Sequence, residues 1–399
     1  MAADNARADL PVAVDTTGGD RGIDVQLEGA VLAFKEFGIR SVLVGPEEEL
    51  RSRLSLIAGS DTPLDIVHAS QTIGMEDSPT RAVRRKPDSS LCVAYNLVES
   101  GRASSIISAG NSGAMMAAGR IICGLLPGIE RPAIATLLPV AGNHSPNVLL
   151  DCGANVDCHA SNLVQFAIMG SIYCNSLLGI ERPKVALLSN GSEPSKGTDV
   201  IRSAAATLSA IRSVNYIGYV EGRDIPTNMA NVIVCDGFVG NVVLKTAEGC
   251  VRLIFEQLLA DGKRNLLGKL GLYLSKRTYR KVFLEKFDYT AHGGAPLLGL
   301  RKLALVLHGS SDARAVKNAI RVADGFSKSG MTDRIAQELT QFDETLMSGG
   351  DDLSVEVLDK RNIFQNGKTR NPVLLDLKRE GVRDDEEEMD AAHEAPSKR

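Results

Sequence analysis

The sequence has no excess of positive charge and no long apolar run, and these two absences narrow the possible functions. Its 399 residues include 45 Lys and Arg against 49 Asp and Glu, a formal net charge of −4. Proteins that act mainly by binding a nucleic-acid duplex carry a basic surface, so we expect no nucleic-acid partner. No stretch approaches the about 20 apolar residues of a membrane-spanning helix, and the start MAADNARADLPVAV is too polar for a signal peptide. We therefore expect a cytoplasmic protein that does not span a membrane.

The sequence also lacks the cysteine spacing that is typical of disulfide-bonded or metal-binding proteins. The seven cysteines are odd in number, contain no CxxC pair and mostly lie within or beside apolar runs. This pattern is typical of reduced, buried thiols in a cytosolic protein. Cys152, Cys158 and His159 lie close together, but a tetrahedral zinc site needs a fourth ligand at a workable spacing. We therefore expect no metal.

The common nucleotide-binding motifs are missing as well. The sequence contains no GxxxxGK[ST], and GGDRG at 18–22 lacks the spacing of GxGxxG with an acidic residue at the end of the next strand. A mononucleotide or NAD site is not supported, and we expect no cofactor.

Seven short runs rich in Val, Ile and Leu recur along the chain, each ending in Gly, Asp or Asn. Most lead into helical stretches, such as the one that Ser78 and Pro79 open and the one that Asp88 or Ser89 caps. This alternation predicts an α/β fold with a mainly parallel sheet and helices on both faces. The runs are PVAVD (11–15), SVLVG (41–45), SSIISAG (104–110), NVLLDCG (147–153), KVALLSNG (184–191), NVIVCDG (231–237) and KLALVLHG (302–309).

One clear change of composition lies near Pro372, and no low-complexity linker divides the residues before it. The residues after Pro372 are charged and poor in apolar side chains, so we expect a disordered tail over 373–399. We expect a flexible N-terminus over 1–10 and a single large α/β catalytic unit over 11–372.

Small and polar residues cluster directly after five of the predicted strands. Ligands of open α/β sheets bind outside the carboxyl ends of the strands, where loops lead into helices with free N–H groups. Backbone N–H groups, asparagine amides and a few lysines suit phosphate or the developing oxyanion of acyl transfer. One such loop is typical of a turn, but five together predict a binding site. The residues are Asp15, Gly18, Gly19 and Asp20; Asn111, Ser112 and Gly113; Asp151 and Asn155; Glu193, Lys196 and Gly197; and Asp236, Gly237, Phe238, Gly240 and Asn241.

Longer motifs, in an ordered series from about residue 11 to about residue 330, resemble those of the bacterial phosphate acyltransferase family. They are VDTTGGD (14–20), EDSPTRAVRRKPDSSL (76–91), SAGNSGAMMAAGR (108–120), GIERPAIATLLP (128–139), LLDCGANVDC (149–158), VEGRDI (220–225), CDGFVGNVVLKTAEG (235–249), HGGAPLLGL (292–300) and HGSSD (308–312).

The resemblance implies a fold similar to that of isocitrate and isopropylmalate dehydrogenases and phosphotransacetylase. It also implies an enzyme that makes acyl phosphate from acyl-acyl carrier protein and inorganic phosphate, at the start of phospholipid synthesis. Family members are homodimers that associate peripherally with the membrane and pass acyl phosphate to a membrane acyltransferase. We expect the same partners here.

The chain departs from the family pattern in two loops. Residues 15–20 read DTTGGD and are followed by RGI, where the family usually has Asp-Ala-Met-Gly-Gly-Asp and His-Ala-Pro. The histidine of that motif is therefore missing. Residues 189–191 read SNG where Asn-Ile-Gly is usual, while Glu193, Lys196 and Gly197 keep their places.

Attack of phosphate on a thioester needs little help from an acid or a base. Phosphate is partly dianionic at neutral pH and a thiol leaving group has a pKa near about 8.5, so no serine or cysteine nucleophile is required. The enzyme must position phosphate and aim donors at the tetrahedral oxyanion. We place phosphate on the loops that contain Asn111, Ser112, Gly113, Lys196, Gly197 and Asn241, with Lys245 nearby for charge.

The other polar candidates have two interpretations each. Asp15, Asp20, Asp151 and Asp236 orient donors or lysines, or they only cap strand ends and form turns. His292 and His308 donate to an oxyanion or move a proton, or they serve the structure alone.

The stretch VCDGFVGNVVLK (234–245) is predicted to leave a strand at Asp236 and to begin a helix at Asn241, with free N–H groups facing the anion. Gly237 and Gly240 are predicted to let the backbone approach the ligand, and Phe238 to exclude water or touch the acyl chain. On this interpretation Gly240→Val abolishes turnover while the fold is retained.

Two basic features concern partners. Arg81, Arg84, Arg85 and Lys86 form a cluster that either docks the acidic acyl carrier protein or is a solvated helix face. The stretch 255–281 is basic and amphipathic, and it packs on the core, on a partner subunit or on anionic lipid. The family resemblance favours the last two.

Three other functions stay open beside the acyltransferase that we favour. A short-chain phosphotransacetylase and a metal-dependent hydroxyacid dehydrogenase share the fold class. The altered loop at 15–20 also leaves a non-catalytic acyl-protein scaffold as a hypothesis.

Overall fold

All seven predicted strands belong to one sheet of eleven strands. The structure is a computed structural model that describes residues 10–58, 63–142, 144–276 and 293–348, with side chains described to residue 340. The strands are β1 (Val12–Asp15), β2 (Ser41–Gly45), β3 (Asp65–His68), β4 (Ser105–Ser108), β5 (Ala133–Leu138), β6 (Asn147–Leu150), β7 (Lys184–Leu188), β8 (Asn215–Val220), β9 (Val232–Val234), β10 (Ala295–Leu298) and β11 (Leu303–Val306).

The sheet is mainly parallel, as predicted, but its direction reverses in the middle. The strand order is β3-β2-β1-β4-β11-β10-β5-β6-β9-β7-β8. Strand β10 pairs antiparallel with both β11 and β5, and β5 pairs antiparallel with β6, while the other pairings are parallel. The strands from β3 to β11 therefore run opposite to those from β6 to β8. The five predicted loops leave the sheet in two groups, not at one edge.

Helices connect the strands and start at the capping residues that the sequence provides. Ser89 Oγ accepts the Cys92 N–H at 3.3 Å, which selects Ser89 over Asp88 as the predicted cap. Pro79 is the first residue of the preceding helix, as predicted. The helices are α1 (Ile23–Phe37), α2 (Glu47–Ala58), α3 (Pro79–Arg85), α4 (Ser90–Glu99), α5 (Ser112–Ala118), α6 (Ala160–Leu178), α7 (Asp199–Ala210), α8 (Gly237–Gly262), α9 (Leu266–Leu274), α10 (Ala313–Lys328) and α11 (Met331–Ser348).

The core lies on both faces of the sheet. Successive side chains of a strand point to opposite faces, and every residue of β1, β4 and β11 is buried. Ala13, Ile106 and Ala304 share one apolar cluster with Leu91 and Tyr95 of α4. Helices α1 and α10 pack against each other and against the same strands, which covers the other face. Helices on both faces were predicted, and the structure confirms them.

Helices α8 and α9 form a helical hairpin that the other described residues hardly cover. Helix α8 has 26 residues, a length of about 39 Å at a rise of about 1.5 Å per residue. Within it only Gly237 and Gly240 are buried, and no residue of α9 is buried. Among the described helices, none combines the length and the apolar character needed to cross a membrane.

The described residues up to Leu346 form one unit. The predicted boundary near Pro372, the tail at 373–399 and residues 1–9 lie outside the described residues. Residues 277–281 of the predicted amphipathic stretch also lie outside them.

Candidate active site

The carboxyl end of β1 holds a buried carboxylate that organises the first loop. Asp15 accepts hydrogen bonds from Ser90 Oγ at 2.5 Å, from Ser108 Oγ at 2.7 Å and from the N–H groups of Thr17 and Gly18. Burial raises the pKa of Asp15, and these hydrogen bonds to the ionised form offset part of the rise. The carboxylate thereby fixes the loops that follow β1 and β4.

The glycines of this region allow three loops to touch. A Cβ atom on Gly18 would lie 2.8 Å from the backbone N of Gly110, too close for any side chain. Gly19 has a φ of 97°, which other residues rarely adopt. The Asp20 N–H donates to the Gly309 carbonyl at 2.8 Å, and the Asp20 carboxylate fills the space beside Gly309. The loops after β1, β4 and β11 therefore form one continuous surface.

Asn111 uses its side chain to hold neighbouring backbone. Its Oδ1 accepts the Ala114 N–H at 3.0 Å, and its Nδ2 faces carbonyls of residues 74–77 at 3.0 to 3.4 Å. Within the described chain, no hydrogen bond satisfies the N–H groups of Ser112 and Gly113. The donors that this loop offers to an anion are these two backbone groups, because the Asn111 amide is already engaged.

Strand β6 ends in a second buried carboxylate with a similar environment. Asp151 accepts hydrogen bonds from the N–H groups of Ile134 at 2.9 Å, Ala154 at 3.1 Å and Asn155 at 2.7 Å, and from Asn155 Nδ2 at 2.8 Å. Burial raises the pKa of Asp151, again against these hydrogen bonds. The Asn155 carbonyl accepts the Gly237 N–H at 2.7 Å and so ties this loop to the start of α8.

Helix α8 begins four residues before the predicted start. Asp236 Oδ1 accepts the Val239 N–H at 2.8 Å, so Asp236 is the N-cap and the helix begins at Gly237. Asn241 lies in the second turn, and the prediction that the helix starts there was wrong. In the described part of the chain, no hydrogen bond satisfies the N–H of Phe238, whose side chain is exposed.

The prediction for Gly240 was also wrong. A Cβ atom on Gly240 would lie 1.9 Å from the carbonyl oxygen of Asp151, and one on Gly237 would lie 2.7 Å from the backbone of Asn155. These glycines let α8 contact the loop after β6. A valine at position 240 would displace that loop, so the fold would not be retained as expected.

Lys245 lies on α8, which starts in the second group of loops, and it contacts a residue of the first group. Its Nζ lies 3.2 Å from Nε2 of His308, which follows β11, and donates to Glu248 Oε2 at 2.8 Å. The other ring nitrogen of His308, Nδ1, lies 2.7 Å from Ser310 Oγ. Two predicted residues, Lys245 and His308, therefore meet. Glu248 and Ser310 were not predicted from the sequence, although a Lys and a Glu three residues apart on one helix are neighbours.

The environment of His308 keeps its imidazole neutral at neutral pH. Partial burial and then the charge of Lys245 lower the pKa of His308 below its ordinary value of 6.5. The carboxylates of Glu248 and Asp20 act in the opposite direction. A neutral imidazole can accept a proton, so His308 is a candidate proton carrier in this cleft.

In the loop after β7, the side chains of Glu193 and Lys196 lie against Gly191. Asn190 Oδ1 accepts the Gly197 N–H at 2.9 Å, and Gly197 has a φ of 84°. A Cβ atom on Gly191 would lie 2.7 Å from Lys196 Cγ and 2.9 Å from Glu193 Oε2. Both side chains therefore cover the loop, and Lys196 is exposed. Because β7 lies beside β9, this loop neighbours the start of α8.

The predicted docking cluster lies beside the first group of loops. Pro79 of α3 contacts Gly113, which places the exposed Arg81, Arg84 and Arg85 on a helix next to α5. None of these arginines forms an ion pair with another described residue. Lys86 instead binds Asp77 at 2.6 Å. His292, a predicted catalytic candidate, lies outside the described residues.

The thiols near the second group of loops are protonated at neutral pH. Burial raises the pKa of Cys152 and Cys158 to about 12 and that of Cys235 well above its ordinary value. Thiols are poor nucleophiles in this form. Within the described ranges, no three His, Cys, Asp or Glu side chains are grouped so that they could hold a metal ion.

Residues 10–334 match the family model described as "Fatty acid synthesis protein". A phosphate acyltransferase of Geotalea daltonii is 46% identical over 332 residues, which cover 83% of this chain and 95% of that protein. A phosphate acyltransferase of Geobacter sulfurreducens is 48% identical over 334 residues, which cover 84% of this chain and 95% of that protein. These matches confirm the resemblance seen in the sequence motifs.

Solved structures with the same fold include phosphotransacetylases. The enzyme from Streptococcus pyogenes aligns with a TM-score of 0.55 at 18% identity, over 80% of this chain and 96% of its own. The EutD phosphotransacetylase from Staphylococcus aureus aligns with a TM-score of 0.52 at 15% identity, over 81% of this chain and 98% of its own. At such identities the likeness concerns the fold, and it confirms the predicted phosphotransacetylase-like architecture.

Proposed function

The chain belongs to the fatty acid synthesis protein family and is a phosphate-dependent acyltransferase, and we propose that it moves a fatty acyl group from acyl-acyl carrier protein to inorganic phosphate. The observation that carries this proposal is the meeting of Lys245 and His308, at 3.2 Å, beside loops that present backbone N–H groups. The product, acyl phosphate, supplies phosphatidic acid synthesis.

Phosphate binds to the first-turn N–H groups of Ser112, Gly113 and Phe238, with Lys245 supplying positive charge. The open donors of those helix starts, described above, support this placement. Lys196 lies on the neighbouring loop and adds a second cation. In this arrangement Asp15 and Asp151 do not touch the anion, because their carboxylates hold the loops.

A phosphate oxygen attacks the thioester carbonyl carbon, and the tetrahedral intermediate collapses with cleavage of the C–S bond. Neutral His308 accepts the proton that a monoanionic phosphate loses and returns it to the departing thiolate. No covalent enzyme intermediate is needed, and the raised pKa values of Cys152, Cys158 and Cys235 argue against thiolate nucleophiles.

The acyl carrier protein docks on Arg81, Arg84 and Arg85. These arginines are exposed, and their helix contacts Gly113 of the proposed phosphate loop. A carrier protein bound there delivers its thioester to the first group of loops. Lys86 is left out of this surface because it binds Asp77 and the Thr72 carbonyl.

The hairpin of α8 and α9 serves the remaining partners, a second copy of this chain and an anionic membrane surface. Leu266 and Leu267 are 84% and 81% exposed, so they do not pack on the core of this chain. Tyr273 and Leu274 are exposed on the same helix, and Lys263, Arg264 and Lys269 supply positive charge. The dimer contact and the transient contact with a membrane acyltransferase are both proposed for this region.

Release of free carrier-protein thiol, followed with and without added phosphate, tests the proposed reaction. We expect release that requires phosphate and a long-chain acyl-acyl carrier protein. A preference for acetyl-coenzyme A would favour the short-chain phosphotransacetylase, and release without phosphate would contradict acyl transfer to phosphate.

A further inference from the structure

A cavity of about 220 Å³ lies between the carboxyl ends of β6, β9 and β7. Leu188 and Cys235 lie at its strand ends, Leu163 lies on α6, and Val200 and Ile201 lie on α7. Val156 and Val239, at 65% and 37% exposure, lie where the cavity meets solvent. The lining therefore combines six aliphatic side chains with polar residues, among them Asp157 and Asp236, and it reaches the surface.

Several polar side chains in this lining already have hydrogen-bond partners. The Asp236 carboxylate accepts the Val239 N–H at 2.8 Å, and Thr198 Oγ1 accepts the Ile201 N–H at 3.3 Å. The thiols of Cys158 and Cys235 face the carbonyls of Asn155 and Asp151, both at 3.7 Å. The aliphatic side chains of the lining offer a hydrocarbon chain contacts that require no hydrogen bond.

The cavity adjoins the proposed phosphate site on two sides. Val239 belongs to the first turn of α8, between Phe238 and Gly240. Leu188 and Thr198 stand immediately before and after the loop at 189–197 that carries Lys196. An acyl group whose carbonyl lies at the helix start can therefore extend into the cavity.

We propose that this cavity, between Val156, Val200 and Val239, binds a segment of the fatty acyl chain and sets the preference for chain length. The inference rests on the proposed acyl transfer to phosphate. Pockets that enclose drug-sized ligands have volumes of about 300–1,000 Å³, and 220 Å³ is smaller. The cavity therefore holds only a part of a long chain.

Substitution of Val200 tests the proposal. Val200→Phe fills the cavity, and we expect the ratio of kcat/KM for palmitoyl to butyryl carrier protein to fall about tenfold or more, because several methylenes lose their apolar contacts. Val200→Ala is expected to raise that ratio. Ile217→Phe, a bulky substitution on the exposed edge strand β8, is the matched control and should leave the ratio unchanged.

An unchanged ratio in both Val200 variants, with an active parent protein, would overturn the cavity assignment alone. A parent protein that releases no thiol in response to phosphate would instead overturn the proposed function on which it rests. The two failures are therefore distinguishable.

Alkylation of the unmodified chain gives a second measurement that needs no variant. Cys158 lines the cavity, whereas Cys250 is exposed on α8. At alkaline pH, decanoate should slow the reaction of Cys158 with iodoacetamide severalfold and leave that of Cys250 unchanged, while butyrate should protect neither. Equal rates at Cys158 with decanoate and with butyrate would contradict the proposal.

Discussion

Two buried aspartates at strand ends show how single residues organise the loops of the candidate site. Asp15 and Asp151 each accept several hydrogen bonds from loop groups, and both remain inside the protein. Water is replaced by fixed donors, which offsets the cost of burying a carboxylate. The loops are thereby held in shape, and if they bind the anion as proposed, this is the preorganisation that stabilisation of an oxyanion requires.

If His308 carries the proton as proposed, the pH dependence of activity depends on Lys245. Partial burial and then Lys245 lower the pKa of His308, and the proposed reaction needs the neutral imidazole, so activity should persist at pH values below 6.5. Lys245→Met removes the charge and raises the pKa of His308, so the acidic limb of the kcat/KM profile should move to higher pH. Lys245→Arg keeps the charge and is the control. An acidic limb at the same pH in Lys245→Met would contradict the proton-carrier role.

Lys196 provides the second test at a single residue. If its ammonium group faces phosphate, Lys196→Ala should raise the KM for phosphate far more than the KM for the acyl donor, because only the anion loses a charge partner. Lys184→Ala changes an exposed lysine at the other end of β7 and should alter neither KM. Equal increases in both KM values would remove Lys196 from the phosphate site.

At the scale of elements, the start of α8 is where the sequence-based prediction and the structure differ most. Two glycines in DGFVGN favour a loop when the sequence is considered alone. In the fold they are needed because the helix begins against the carbonyl of Asp151. The reason for each glycine is a tertiary contact with a loop about 85 residues earlier in the chain, which no local pattern reveals.

A pair of glycine substitutions in α8 checks this contact. Gly240→Ala should lower the free energy of unfolding by about 1–3 kcal/mol, since a Cβ atom would overlap the Asp151 carbonyl. Gly249→Ala lies on the same helix with no heavy atom within 4 Å of the new methyl group, and it should stabilise by up to about 1 kcal/mol. Denaturant unfolding measures both. Equal effects of the two substitutions would show that α8 does not press on this loop.

The strands show what local pattern predicts well. The seven runs predicted from Val, Ile and Leu content are strands because both faces of each are buried. Strand β3 (DIVH) is a half-exposed edge strand, and β8 (NYIGYV) is another edge strand. Their mixed composition gave no clear run. Strand β10 (APLL) is short and contains a proline, so the reversal of direction in the middle of the sheet could not be predicted.

The exposed leucines of α9 give the second test at this scale. Replacing Leu266 and Leu267 with glutamate should release the protein from anionic vesicles and leave turnover in solution largely intact, because neither side chain is buried. Leu56→Glu changes a leucine of similar exposure, 85%, on α2 and should leave vesicle binding unchanged. Co-sedimentation with vesicles of anionic lipid is the measurement. Full binding by the double variant would exclude these leucines from a membrane contact.

At the scale of the whole molecule, the site depends on the opposed directions of the two halves of the sheet. Five loops were predicted to form a site at strand ends, and the structure places them in two groups instead. The long helix α8 starts in one group and brings Lys245 to His308 in the other. The loop residues together with the motif resemblance predicted acyl transfer to phosphate, and the family match confirms the acyltransferase class. The contact between Lys245 and His308 could not be predicted in this way, because it depends on the topology of the sheet.

The most direct test of the central claim is detection of the acyl phosphate itself. The protein is incubated with palmitoyl-acyl carrier protein and inorganic phosphate, and the activated acyl group is trapped as a hydroxamate with hydroxylamine. We predict hydroxamate in an amount equal to the thiol released, formed only when phosphate is present. Free palmitate in place of hydroxamate, formed equally without phosphate, would contradict acyl transfer to phosphate.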